Sequence, residues 1–416
     1  LLAAYGIAIL LAMAIHYSRP EALTVSGTNL ELARSHNRRA VIETVRLNGQ
    51  LTRADLARLT ALTPQTVSNI AGELLDAGLL LAGEPLRDGA RGQPAIPLRI
   101  NPDGAYSIGV QLDQQQLVAV AVDLAGQVRG RTRYPASRPT PAVALPLIRQ
   151  ALADLRAVPG LDWRRLLGMG LVMPGPFGVA GMTSVGPTTL PGWEEVDAAG
   201  LQATLGLPVL LQKDATAAAI GERLHGIASG MQNFVYLFVG HGLGAGLFLD
   251  GRLYTGLRRN AGEVGHMIVM PDGRPCSCGN HGCLERYVSL QSLYETLGWQ
   301  GEAGDCLARL ARLEGEDAWA AERWLAMAAR ALRQAVNILE CLLDVEGVVI
   351  GGLLPAALLA QLVERLHPLP ASIRQCDGPR LQVGAAGGDV VALGAAALPI
   401  FDEFNPGYEA LLKASA

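Results

Sequence analysis

Lysine is nearly missing from this chain. Lys213 and Lys413 are the only two among 34 basic residues, so any positive surface is built from arginine. Cysteine is sparse as well, six in 416 residues. Cys306, Cys341 and Cys376 are scattered through apolar surroundings. They read as reduced thiols, with no spacing that suggests a disulfide framework, and a reducing cytoplasm fits them best. Charged residues make up 17% of the chain, with a net charge of −4. No internal repeat or low-complexity tract is visible. Leu1 to Tyr17 carries no Asp, Glu, Lys or Arg. That run is slightly short for a membrane span and lacks a basic leader or cleavage site. Residues 1–29 are expected to be an apolar extension, with the start of translation nearer Val25.

What remains is half apolar, enough for large cores and two or three domains. Residues 30–100 carry nine arginines against seven acids, so the body after them is acidic. A mildly basic head on an acidic body is compatible with nucleic-acid contact through the head.

That head has a readable grammar. Asn37 to Leu47 predicts a helix, with Ala40, Val41, Thr44 and Val45 inward, ended by Gly49. Thr52 caps a second helix, Arg53 to Thr60, with Leu56 and Leu59 inward. Thr63-Pro64 opens a third helix, stopped by Gly78. Leu79 to Leu81 and Pro94 to Ile100 follow as two strands around a glycine-rich tip. This order is a winged helix-turn-helix. Gln65, Thr66, Ser68 and Asn69 sit near the exposed start of the third helix, where short polar side chains reach base edges in a major groove. Arg87 and Arg91 on the tip suit phosphate or minor-groove contact. The competing reading is a small helical bundle for protein contacts.

After Gly104 the pattern becomes strands, first in meander and then alternating with helices. Expected strands are Tyr106 to Leu112, Leu117 to Asp123, Gly168 to Met173, Pro208 to Gln212, Phe234 to Val239, Leu247 to Leu249 and Val348 to Gly352. Expected helices are Pro146 to Val158, Asp214 to His225 and Trp319 to Leu343. Such a chain predicts two α/β lobes around a cleft.

The densest chemistry lies in Glu263-Val-Gly-His266 and Cys276-Ser-Cys278-Gly-Asn-His-Gly-Cys283-Leu-Glu285. One histidine and three cysteines make a full tetrahedral set for structural zinc, with no position left open for catalysis. Glu263 and Glu285 bracket the set. They either hold a ligand or brace the metal. Asp214, at the start of a helix, is either a ligand contact or a helix cap.

These stretches, with Gly240 to Gly246 and Asp214-Ala-Thr-Ala-Ala-Ala, resemble the ROK family of repressors, open reading frames and kinases over residues 30–400. The resemblance implies an actin-like, two-lobed sugar-kinase fold behind the winged head. Residues 101–213 would form the first lobe and 214–416 the second, with the last helix returning to the first. It implies that His266, Cys276, Cys278 and Cys283 hold zinc. Asp214, Glu263, His266 and Glu285 would hold a sugar, with Thr188 in a lining loop. The head resembles those of sugar-responsive repressors. Its implied partners are an operator duplex, a small sugar or sugar-phosphate effector and a second copy in a homodimer or tetramer. Some members are instead held by a phosphotransferase-system protein.

One departure decides against catalysis. The family's kinases carry Asp-x-Gly-Gly-Thr after the first strand. Here the stretch reads Gln111-Leu112-Asp113-Gln114-Gln115. His241 replaces a usual threonine, and Lys213 a usual asparagine. A carboxylate repels polyphosphate, and side chains block its approach to the backbone. No ATP binding, no catalytic residue and no enzyme activity are expected. Asp214 then either remains a ligand contact or pairs with Lys213, which would alter the sugar specificity.

Overall fold

The computed structural model describes residues 30–85, 95–175, 189–194, 196–299, 306–373 and 378–406, with side chains from residue 33. The head consists of α1 (Leu30–Asn48), α2 (Arg53–Thr60) and α3 (Pro64–Asp76), followed by β1 (Leu80–Ala82) antiparallel to β2 (Leu98–Ile100). α1 begins seven residues before the expected Asn37. The added stretch has no glycine or proline, but its polar residues carry no apolar period for sequence reading to follow. Thr52 and Asp55 cap α2 reciprocally, each side chain accepting from the other's N–H at 3.2 Å. Thr63 caps α3, with Pro64 in its first turn. Val41, Ile42, Val45, Leu56, Val67, Ile70 and Leu74 close the core. Leu59 was expected inward but is 45% exposed. Leu56 fills the space between the helices, and Leu62 after the turn packs there instead. The tip bearing Arg87 and Arg91 lies outside the described residues.

Behind the head stand two five-stranded sheets. The first contains β3 (Tyr106–Leu112), β4 (Gln116–Asp123), β5 (Val128–Pro135), β6 (Leu166–Met173) and β7 (Val209–Lys213), in the order β5-β4-β3-β6-β7. β3, β4 and β5 are antiparallel; β6 runs parallel to β3, and β7 to β6. The second sheet contains β8 (Phe234–Val239), β9 (Leu243–Leu249), β10 (Arg252–Tyr254), β11 (Gly347–Gly352) and β12 (Leu381–Val383), in the order β10-β9-β8-β11-β12. Its antiparallel and parallel pairings repeat those of the first. The body is thus a duplicated topology that the sequence does not display as a repeat.

The helices cover and join these sheets. They are α4 (Pro141–Arg156), α5 (Ala198–Leu205), α6 (Asp214–His225), α7 (Leu290–Leu297), α8 (Cys306–Leu310), α9 (Gly315–Leu343), α10 (Ala356–Leu366) and α11 (Val390–Phe404). α4 starts five residues earlier than expected and absorbs Pro146. Leu117, Ala119 and Ala121 of β4 face the α4 core through Ile148 and Leu155. The alternate residues Val118, Val120 and Val122 join the head's own core, as period-two strands require.

α11 sits at the centre. Ala392, Ala396, Ile400 and Phe404 also belong to the head's core, and Arg46 of α1 stacks 5.7 Å from the Phe401 ring centroid. α11 also packs closely on α6 and β3. A side chain at Gly394 would run into the Ala217 carbonyl, and one at Gly109 into that of Ala392, so glycine permits the close backbone approach. Glu222 of α6 accepts N–H bonds from Ile227, Ala385 and Ala386 at 2.7–3.1 Å, holding the segment before α11. Among the described residues, no helix is long and apolar enough to cross a membrane.

Candidate functional site

The metal-ligating residues lie in an irregular stretch after β10. Two 3-10 turns, Val264–His266 and Leu284–Arg286, are joined by an Ile268–Cys283 bridge. The Cys276 N–H donates to Asn280 O at 2.8 Å and folds the cysteine loop on itself. One ligand atom from each of His266, Cys276, Cys278 and Cys283 falls within 4.8 Å of the others. Cys278 Sγ and Cys283 Sγ are 3.6 Å apart, as are Cys276 Sγ and His266 Nδ1. Thiolates about 2.3 Å from a tetrahedral zinc stand roughly 3.8 Å apart, and thiolate and imidazole roughly 3.6 Å. The donor set can hold one metal ion and fits zinc. Nδ1 faces the sulfurs, which leaves Nε2 on the other edge of the ring, and His266 also lines the neighbouring cleft.

That cleft lies where the carboxyl ends of β3, β6, β7, β8 and β11 converge, the usual place for ligands on α/β sheets. Asp214, Glu263, His266 and Glu285 all line it. Thr188 lies outside the described residues, while its neighbour Thr189 is buried and lines the same cleft. Asp214 opens α6, and its Oδ1 accepts from Ala215 N at 2.6 Å. Loss of water pushes its carboxyl up to about 7, and Glu263 and Asp113 add to the rise. The Ala215 bond and Lys213 pull the other way.

Of the two alternatives for Asp214, pairing with Lys213 is not the one taken up. Lys213 Nζ lies 2.6 Å from Glu263 Oε1 and 2.8 Å from Ala261 O. The backbone at Lys213 is extended, so neighbouring side chains diverge. Its aliphatic stem runs over Gly175, where a Cβ would meet the Lys213 Cγ at 2.8 Å. Glu285 Oε2 accepts from Leu243 N at 3.0 Å, and burial pushes its carboxyl up.

The altered turn after β3 is closed by its own carboxylate. Asp113 Oδ1 accepts from Gln115 N at 2.7 Å and Gln116 N at 2.8 Å. Burial pushes Asp113 up as well. The second glycine stretch is shorter than its sequence suggests, because β9 begins at Leu243 rather than Leu247. His241 in the remaining loop lies edge-on to Tyr294 at 6.2 Å, and burial pushes it down to about 4. The Lys213–Glu263 pair left no signal in the sequence, whereas Thr189 lies in the loop that the family resemblance pointed to.

On the head, Gln65, Ser68 and Asn69 are exposed on α3, and Thr66 is half-buried. Gln65 Nε2 donates to Asn69 Oδ1 at 3.0 Å. Val67 and Ile70 on the opposite face hold the helix to the head. Among the described residues, nothing covers Gln65, Ser68 and Asn69.

Fold and site together define a class: a duplicated α/β body with a His/Cys3 set able to hold a metal beside its cleft, carrying a winged helix-turn-helix. The chain belongs to the ROK family, whose model matches residues 107–399. A model described as winged helix-turn-helix DNA-binding matches residues 34–80. An uncharacterized protein, y4fQ, of Sinorhizobium fredii is 28% identical over 90% of this chain and 93% of its own length. The xylose repressor of Bacillus subtilis is 27% identical over 63% of this chain and 67% of its own. The Escherichia coli DNA-binding transcriptional repressor Mlc is 27% identical over 64% and 66%. A crystal structure of a ROK family transcriptional regulator, a homolog of the E. coli Mlc protein, matches 92% of this chain and 99% of its own. Its TM-score is 0.70 at 25% identity. A ROK family glucokinase from Streptomyces griseus, in complex with glucose and AMPPNP, matches 71% and 99% with a TM-score of 0.55 at 26% identity.

Proposed function

We propose that this protein is a DNA-binding transcriptional repressor of sugar uptake or catabolism genes, controlled by a sugar bound in the cleft. The observation that carries this reading is α11. One side of it is built into the core of the head, and another packs on α6, the helix that Asp214 opens in the cleft. A ligand that moves α6 therefore acts on the head through one rigid helix. The names of the matched repressors and the match to the Mlc homolog support the same reading.

Asp214, Glu263 and Glu285 each have one oxygen fixed by the protein. Among the described residues, no other donor bonds Asp214, Glu263 or Glu285. Their remaining oxygens accept hydrogen bonds from hydroxyls, and charge makes those bonds strong. Zinc held by His266, Cys276, Cys278 and Cys283 would fix the shape of this wall. His266 would offer the ligand its other ring nitrogen. The head meets an operator duplex through Gln65, Thr66, Ser68 and Asn69 on α3, with Arg87 and Arg91 of the wing on the phosphates. A homodimer or tetramer places two heads on two half-sites. The sugar must bind the DNA-released state more tightly, since equal affinity shifts nothing.

We read the body as non-enzymatic. The backbone donors of the turn after β3 are occupied by Asp113, which leaves a triphosphate no cradle there. Mobility shift of an operator fragment against a panel of sugars tests the regulatory reading. At least one sugar is expected to release the DNA, and no sugar-dependent change would defeat it. Sugar phosphorylation from ATP that is lost on Asp214→Asn would establish a kinase instead.

A further inference from the structure

The cleft's reading as a sugar site leaves open whether the effector is free or phosphorylated; this inference rests on that reading and narrows it. Clustered backbone N–H groups, strand ends and helix starts are where proteins hold phosphate. Three such places face the cleft, and each already holds a carboxylate of the chain itself. Asp113 takes the N–H groups of Gln115 and Gln116. Glu285 takes that of Leu243 at the start of β9. Asp214 takes that of Ala215 in the first turn of α6. Among the described residues lining the cleft, Lys213 is the one lysine or arginine. Its ammonium is engaged by Glu263 and the Ala261 carbonyl. Arg138, which acts electrostatically on His241, does not line the cleft.

We propose that the cleft takes an uncharged, unphosphorylated sugar and rejects its phosphate esters. A phosphate entering here meets four carboxylates, Asp113, Asp214, Glu263 and Glu285, with no unengaged lysine or arginine among the described lining residues and with the N–H groups of Gln115, Gln116, Ala215 and Leu243 already taken. A hydroxyl meets acceptors. Discrimination therefore comes from building repulsion against the wrong ligand as well as attraction for the right one.

The experiment titrates the full-length protein, by calorimetry and thermal shift, with matched pairs. The pairs are glucose and glucose 6-phosphate, mannose and mannose 6-phosphate, and N-acetylglucosamine and its 6-phosphate. In every pair that binds, the free sugar is expected to bind at least about 100-fold more tightly, the scale of a like-charge contact. Asp113→Gly, which frees two N–H donors, is expected to narrow that ratio about tenfold; if this variant fails to fold, the wild-type ratio alone decides. An ester that binds as tightly as its parent sugar overturns this proposal and leaves the sugar reading standing. Silence from both members of every pair overturns the sugar reading, and this inference with it.

Discussion

Asp214 carries the sharpest residue-scale consequence. Its carboxyl is raised from 3.8 to about 7 in the folded protein. A raised carboxyl contributes stability that is fully present below about 3.8 and is lost as pH rises through 7. A sugar hydroxyl donates to the ionised form, so affinity should rise between about pH 6 and pH 8. Calorimetry across that range is the check. Asp214→Asn should bind weakly and make the profile shallower. His241, pushed down to about 4, stays neutral in that window, while Glu285 and Asp113, also raised by burial, share the slope with Asp214. At Lys213, replacement by Met strips Glu263 of its partner. The expected cost is about 2–3 kcal/mol in denaturant unfolding, typical of a hydrogen-bonded charge, together with loss of sugar binding. The identity of both residues was legible in the sequence. Their partnership was not, because Glu263 lies fifty positions from Lys213 and nothing local ties them.

At the scale of elements, α3 separates readers from anchors. Gln65 Nε2 donates to Asn69 Oδ1, which leaves Gln65 Oε1 as an acceptor and Asn69 Nδ2 as a donor on this exposed pair. That pattern complements the N6 and N7 edge of adenine. Replacing either with Ala should cost about 1–3 kcal/mol and relax base preference at one operator position. Arg91→Ala should instead weaken all sequences alike and reduce the salt slope by about 1. Binding assays against an operator mutant set, repeated at two salt concentrations, tell these apart. Identical behaviour of both classes would reverse the roles given to helix and wing. The cysteine loop is the second such element. Cys278→Ser should lose the metal by elemental analysis and abolish the sugar response while sugar-free DNA binding persists. Element ends followed legible chemistry where caps were strong, as at Thr52 and Thr63. They were missed where polar helix turns precede the apolar face, as in α1, and where glycines enter a strand, as in β9.

For the whole molecule, α11 makes head and body one packed unit. Gly394→Ala forces a methyl against the Ala217 carbonyl. Overpacking of this kind costs about 1–3 kcal/mol, and it should spread the α6–α11 seam. Sugar is then expected to bind with little change, while its effect on DNA retention falls at least severalfold. Hydrogen exchange should show α1 and α11 loosening together. If α1 opens while α11 keeps its protection, the two do not act as one lever.

The sequence by itself determined the winged head, the tetrahedral donor set and the carboxylates beside it. Each of these is written in neighbouring residues whose caps, turns and spacings act locally. The tertiary structure decided the rest: that both sheets repeat one topology, that Lys213 serves Glu263, and that Asp113, Asp214 and Glu285 each take backbone N–H groups at the cleft. It also decided that the final helix joins the cleft to the head. Those outcomes depend on contacts between distant segments, and such contacts exist only once burial of apolar faces has brought the segments together.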